Sequence, residues 1–197
     1  MGITLDKYFE NIHSVIFSPK AFFERENENY SVRLAIATII LITAITKTTT
    51  SIFNENITNQ FFVLSLLWSV ICAVFFWFIT AVFFEYTAKI FNKEGNLTKV
   101  LYYTSYAPIP YIFFAPLSLI KEIGLFGYFI GTYTQFFLAI WIVFLYALAI
   151  SNSYKISIAR SFMLIFLPFI ASIFASAWTI GFFKKLWAKF TSLFTDK

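Results

Sequence analysis

From Phe61 to Phe84 the chain runs for 24 residues without a charged side chain. As a helix rising ~1.5 Å per residue this stretch reaches ~36 Å, more than the ~30 Å hydrocarbon core of a bilayer. It carries Trp68, Phe75, Phe76, Trp77 and Phe78 and offers no polar face to water. A helix that is apolar all round needs lipid or deep burial about its whole circumference. The run predicts a membrane span, and other blocks of the chain repeat the pattern.

Composition agrees. Of 197 residues 59% are apolar and 13% charged, with a mean hydropathy of +0.75. Soluble domains carry about 25% charged residues, so depletion spread along the whole chain indicates a polytopic, all-α membrane bundle. The net charge of +5 is modest and its basic residues lie between the apolar blocks. No window has the dense basic patch that nucleic acid requires, and nucleic acid is excluded as a partner. The one cysteine, Cys72, sits inside an apolar run and reads as a small filler, and the one histidine, His13, lies outside the spans. With a single His and a single Cys, no structural zinc site is expected. No cofactor is expected either, and no cleavable signal sequence is visible ahead of the first span.

The ends differ from the middle. In residues 1–31, Leu5, Phe9, Ile12 and Ile16 fall on one helical face, suited to the headgroup region or to the bundle surface. Ser18 followed by Pro19 is a helix start, and the short helix it opens is expected to push Phe22 and Phe23 into the membrane surface as interfacial anchors. The tail, residues 184–197, alternates Lys184, Lys185 and Lys189 with Leu186, Trp187, Phe190 and Phe194, and reads as a second interfacial helix.

Between the ends lies a bundle over residues 32–183, with spans predicted at about 32–53, 61–84, 100–120, 126–150 and 161–183. Lys47 interrupts the first. It either snorkels toward the headgroups or is a functional charge within the membrane. A connection from Glu85 to Lys99 follows the second span, with Gly95 as its turn residue; its Asn96-Leu97-Thr98 matches a glycosylation sequon, as does Asn56-Ile57-Thr58, and neither match carries weight. Gly127 and Gly131 make a small-xxx-small spacing in the fourth span, and Ser172 and Ser176 make one in the fifth; both are candidate packing faces.

The block 100–120 is the least ordinary segment. Pro108, Pro110 and Pro116 each remove a helical hydrogen bond, and the carbonyls so freed need partners inside protein or a wet cavity. Tyr102, Tyr103, Tyr106 and Tyr111 could supply them. The tyrosines and prolines of this block form the candidate functional segment. Whether it crosses is set by two opposed arguments. Five crossings with the N-terminus inside place nine basic residues in the cytoplasm and six outside; a re-entrant third block with four crossings gives twelve against three. The positive-inside rule favours the second arrangement, and block length favours the first. We take five crossings as the expectation.

The order of motifs carries a resemblance. Pro19, Phe22 and Phe23 precede a pair of spans. Gly95, Leu97, Thr98 and Lys99 then lead to a Tyr-Ala-Pro-x-Pro entry (Tyr106, Ala107, Pro108, Pro110). Trp141 follows in span four, and Ile156 to Arg160 lead to a fifth span holding Pro168. Over roughly residues 15–183 this resembles prokaryotic members of the YIP family of membrane proteins. The resemblance implies five membrane helices, a cytosolic N-terminus, a multi-pass protein of a prokaryotic cytoplasmic membrane, and no catalysis. The acidic and Tyr-Gly-Pro-type element that precedes the first span in eukaryotic members is not recognisable, so binding of Rab-type GTPases is not carried over.

No HExxH, phosphate loop or Ser/His/Asp set is present in the sequence. The reading that follows is a non-enzymatic scaffold, adaptor or membrane-organising protein. Its partners would be the lipid bilayer and other membrane proteins or further copies of itself. The alternative is a small transporter or channel built on the broken third block, as discontinuous spans build sites in transporters.

Overall fold

Each uncharged block that lacks proline forms one long helix, because in lipid the backbone must satisfy its own hydrogen bonds. A computed structural model describes residues 5–25, 30–53, 61–90 and 96–167. Two short helices come first, α1 (Leu5–Phe17) and α2 (Pro19–Glu24), followed by two long ones, α3 (Val32–Phe53) and α4 (Phe62–Ile90). The third block comprises α5 (Leu97–Tyr106), a 3₁₀ turn (Ile109–Phe113) and α6 (Phe114–Ile120). The long α7 (Gly124–Tyr154) then leads to α8 (Ile158–Leu167). Among the described residues there is no strand, and the all-α bundle stands. Segments of α3, α4 and α7 are long and apolar enough to cross a membrane: Val32–Ile52, Phe62–Lys89 and Gly124–Tyr154.

The helix ends follow local chemistry. Ser31 caps α3, its Oγ accepting from the Leu34 amide at 3.3 Å. Asn96 caps α5, accepting from the amides of Thr98 and Lys99. The sequon reading of Asn96 therefore missed its structural role as a cap. Glu85 and Lys89, expected in a loop, lie on α4, which continues through Ile90. Charged groups at a helix end can reach the headgroup region without breaking the helix.

Two prolines break the third block and one does not. α5 ends at Tyr106, and Pro108 and Pro110 fall at and just inside the 3₁₀ turn, where Tyr111 N–H reaches back to the Pro108 carbonyl at 2.9 Å. Pro116 sits in the first turn of α6, where the missing N–H would have had no helical partner. It opens a helix where the sequence reading had it kink one.

α5 is the shared wall of two cores. Its Val100 and Leu101 join Ala35, Trp77, Ile150 and Leu164 in one cluster. Its Tyr102, Tyr103 and Tyr106, with Ala107 just beyond its end, join Val15, Phe22, Phe23 and Leu145 in the other. The N-terminal pair α1–α2 is thereby packed on the bundle.

Candidate functional site

Tyr102, Tyr103 and Tyr106 recur at helical spacing on α5, so all three reach one side of it. All are buried, with Tyr103 and Tyr106 fully so. They form an aromatic nest: ring centroids lie 5.6 Å apart for Tyr102–Tyr103 and 5.2 Å apart for Tyr102–Tyr106. Phe22 and Phe23 of α2 close over it. Phe22 lies 5.1 Å from Tyr106, and Phe23 lies 5.5 Å from Tyr103, edge to face. Such pairs contribute about 0.5–1.5 kcal/mol beyond the area they bury. Tyr30 completes the nest, 5.7 and 5.6 Å from Tyr102 and Tyr103.

Phe22 and Phe23 are thus not lipid anchors. Each is 1% exposed, and the tyrosine faces give them an apolar, aromatic seat within the protein that the membrane surface cannot match in contact density.

α1 is held by polar contacts as well. The Tyr8 hydroxyl donates to Thr38 Oγ1 on α3 at 3.1 Å, and Asn11 Nδ2 donates to the Tyr102 hydroxyl at 3.3 Å. Tyr103 donates its hydroxyl hydrogen to the carbonyl of Arg25. Tyr106 turns its hydroxyl toward Tyr102 and Asn11 without a well-formed hydrogen bond. Arg25 also reaches Glu10 at 3.7 Å, and Lys99 lies 5.8 Å above the rings of Tyr30 and Tyr103. Those two charged contacts are partly exposed and contribute little next to the buried rings.

The expected face of α1 is rotated. Ile12 and Ile16 do pack inward, joined by Tyr8, Asn11 and Val15, but Phe9 is 59% and Phe17 70% exposed. Phe9, His13 and Phe17 form an outward stripe at four-residue spacing, with His13 and Phe17 rings 4.5 Å apart. The buried Asn11 explains the rotation: a polar residue turns inward because a tyrosine hydroxyl is there to bond.

The tyrosine hydroxyls do not repair the broken backbone of the third block, as the sequence suggested. Gln135 of α7 ties the block to α7 instead, its Nε2 donating to the Phe114 carbonyl at 3.0 Å, while Ser118 Oγ reaches the Ala115 carbonyl at 2.6 Å. Gln135 was legible as the lone amide in the fourth predicted span, and sequence reasoning passed over it.

Gly127 and Gly131 bring α6 and α7 together in a hairpin. A Cβ on Gly127 would collide with the Ile120 carbonyl oxygen, and one on Gly131 would come within 2.9 Å of the Leu117 carbonyl. Pro110 is buried, Pro108 is half-buried and Pro116 is exposed. Ser172, Ser176, Trp187 and Phe190 lie outside the described residues. Among the described residues, no three His, Cys, Asp or Glu side chains group to hold a metal.

A family model described as the Yip1 domain matches residues 14–179. The chain belongs to the Yip1 family. The Yip1 match begins within α1 and runs past α8, so it takes in α2, the tyrosine nest and the broken third block together. With its long apolar helices, the match makes this a multi-pass membrane protein. Neither a curated protein nor a solved structure matches it.

Proposed function

We propose that this Yip1-family protein is a non-enzymatic membrane scaffold or adaptor. It presents its N-terminal helices to other membrane proteins, or to further copies of itself, at the cytoplasmic face of a prokaryotic cytoplasmic membrane. The observation that carries the reading is the seating of α1–α2 on the tyrosine nest. Two short helices that would be marginal alone are clamped by buried rings and by bonds to Tyr102, Tyr103 and Thr38. Their outward stripe of Phe9, His13 and Phe17 is therefore held at a fixed angle to the bundle. A scaffold needs a surface of fixed geometry, and exposed aromatic residues beside polar ones are the composition that interfaces favour. The family match lends the transport alternative no support.

A photo-crosslinking residue placed at Phe9 or Phe17 in cells tests this. Discrete protein adducts are expected, and they should disappear when the pair Tyr103→Ala and Tyr106→Ala releases α1–α2 while membrane insertion is retained. Adducts to lipid alone, or protein adducts that persist after release, overturn the reading. The five-crossing arrangement belongs to the same proposal. It expects a cysteine at Thr191 to be labelled from outside, and labelling from the cytoplasmic side alone replaces it with the re-entrant arrangement.

A further inference from the structure

On the other side of α5 from the tyrosine nest, α3, α4 and the 3₁₀ turn enclose a cavity of about 590 Å³, within the ~300–1,000 Å³ typical of ligand pockets. Its wall on α3 is one helical stripe, Thr43, Thr46, Lys47 and Thr50, continuing to Ile39 and Ile42. Opposite stand Ser69, Ala73, Trp77, Ala81 and Phe84 of α4. The two ends differ in chemistry. Toward the C-terminal end of α3 the lining is cationic and hydroxylated; toward Ile39 and Phe84 it is aliphatic and aromatic.

Proton bookkeeping decides which polar group the upper end accepts. Ser69, Thr80 and Thr50 each spend their hydroxyl hydrogen on a carbonyl of their own helix, at 2.8, 2.7 and 2.8 Å. Thr104 spends its hydrogen on the Val100 carbonyl and accepts from Trp77 Nε1 at 3.1 Å. Thr46 Oγ1 alone is buried in this wall without a partner. Next to it in sequence, Lys47 is the one charged residue of the lining and makes no ion pair among the described residues. The ammonium only donates, and a rotation of the Thr46 side chain would bring its unused hydroxyl hydrogen to the same group, so together they call for an anionic oxygen.

The dimensions select the rest of the ligand. From Lys47 to Ile39 the stripe spans about 12 Å, within the ~15 Å depth of one leaflet's acyl chains. The rim opens sideways, with Phe76 65% and Tyr111 47% exposed, so an occupant can enter from the bilayer. We propose that this cavity holds an anionic phospholipid of the leaflet at the C-terminal end of α3, with its phosphate at Lys47 and Thr46. One acyl chain lies between Ile39, Ile42, Trp77 and Phe84. Lys47 thereby acquires a reason for its place inside a span that snorkelling alone does not require.

Native mass spectrometry of the full chain in detergent, titrated with phosphatidylglycerol or phosphatidylcholine, tests the assignment. The wild type is expected to retain one phosphatidylglycerol in preference to phosphatidylcholine. Lys47→Gln should weaken that retention by about tenfold or more, the size of one charge-assisted hydrogen bond. Thr46→Val should weaken it less, Lys47→Arg should restore it, and Lys121→Gln, a basic residue outside the cavity, should leave it unchanged. Equal retention of the two lipids by the wild type, or undiminished retention by Lys47→Gln with an unaltered gel-filtration profile, overturns the proposal. So does displacement of the lipid by glycerol phosphate, which carries the charge without a chain.

Discussion

α4 and the third block both contain more than twenty consecutive uncharged residues, and they behave as opposites. α4 is the more apolar, yet only 6% of its most apolar 18-residue window is buried in the protein. α5 is shorter and carries three tyrosines, two threonines and a serine, and every residue from Val100 to Tyr106 is buried. In water the apolar segment would be the core and the polar one the surface. In a bilayer apolar surface has no reason to leave lipid, and burial goes to segments that pack well or carry polar groups needing partners. The inside of this protein is therefore made from its more polar helix.

The strongest way to break that comparison is to remove one ring from each side. Tyr106→Ala should destabilise the protein by about 3 kcal/mol, the lower end for deleting a buried aromatic side chain. Phe75→Ala, at a position 58% exposed on α4, should stay within about 0.5 kcal/mol. Thermal unfolding in one detergent, followed by fluorescence-detected gel filtration, compares the two. Equal losses would mean that α4 is packed against protein rather than lipid.

A smaller effect sharpens the role of the α6–α7 hairpin in positioning the broken block. Gly127→Ala should cost about 1–3 kcal/mol, since its methyl group meets the Ile120 backbone rather than a movable side chain. The same substitution at Gly124 meets no atom within 4 Å but must hold φ at +68°, and should cost about 1 kcal/mol. The same thermal assay ranks the pair, and a reversed order would place the constraint in the turn rather than in the packing.

The smallest effect concerns the seam between the two regions. Trp77→Phe removes the donor to Thr104 Oγ1 along with part of the buried indole. The hydrogen bond itself is expected to contribute a coupling of about 0.6 kcal/mol, the mean for hydrogen bonds between membrane helices. Combining it with Thr104→Val in a double-mutant cycle isolates the pair, and a coupling near zero would leave α4 and α5 joined by packing alone.

Much of the frame is readable from residue types. α3 begins and ends at the residues where the first span was expected, because Ser31 caps it and apolar length defines it. Pro19 opens α2 through its fixed φ at the first helical position, while the Ser18 hydroxyl makes no capping bond. What could not be read is which side of a helix meets protein. Phe22 and Phe23 look like membrane anchors until the tyrosines of α5 are brought to them from some 80 residues away. Asn11 looks exposed until the Tyr102 hydroxyl is placed beside it. Pro116 looks like a kink until the helix is seen to begin just before it.

By itself, then, the sequence determined the solvent, the long apolar helices and the break at Pro108 and Pro110, since each depends on the chain's own apolar length and missing amides. Only the tertiary structure decided that the tyrosines hold the N-terminal helices, that Gln135 bonds α7 to the third block, and that Lys47 faces a cavity. The reason is physical: in lipid the apolar pattern no longer distinguishes inside from outside, so the choice passes to pairwise fits between distant segments.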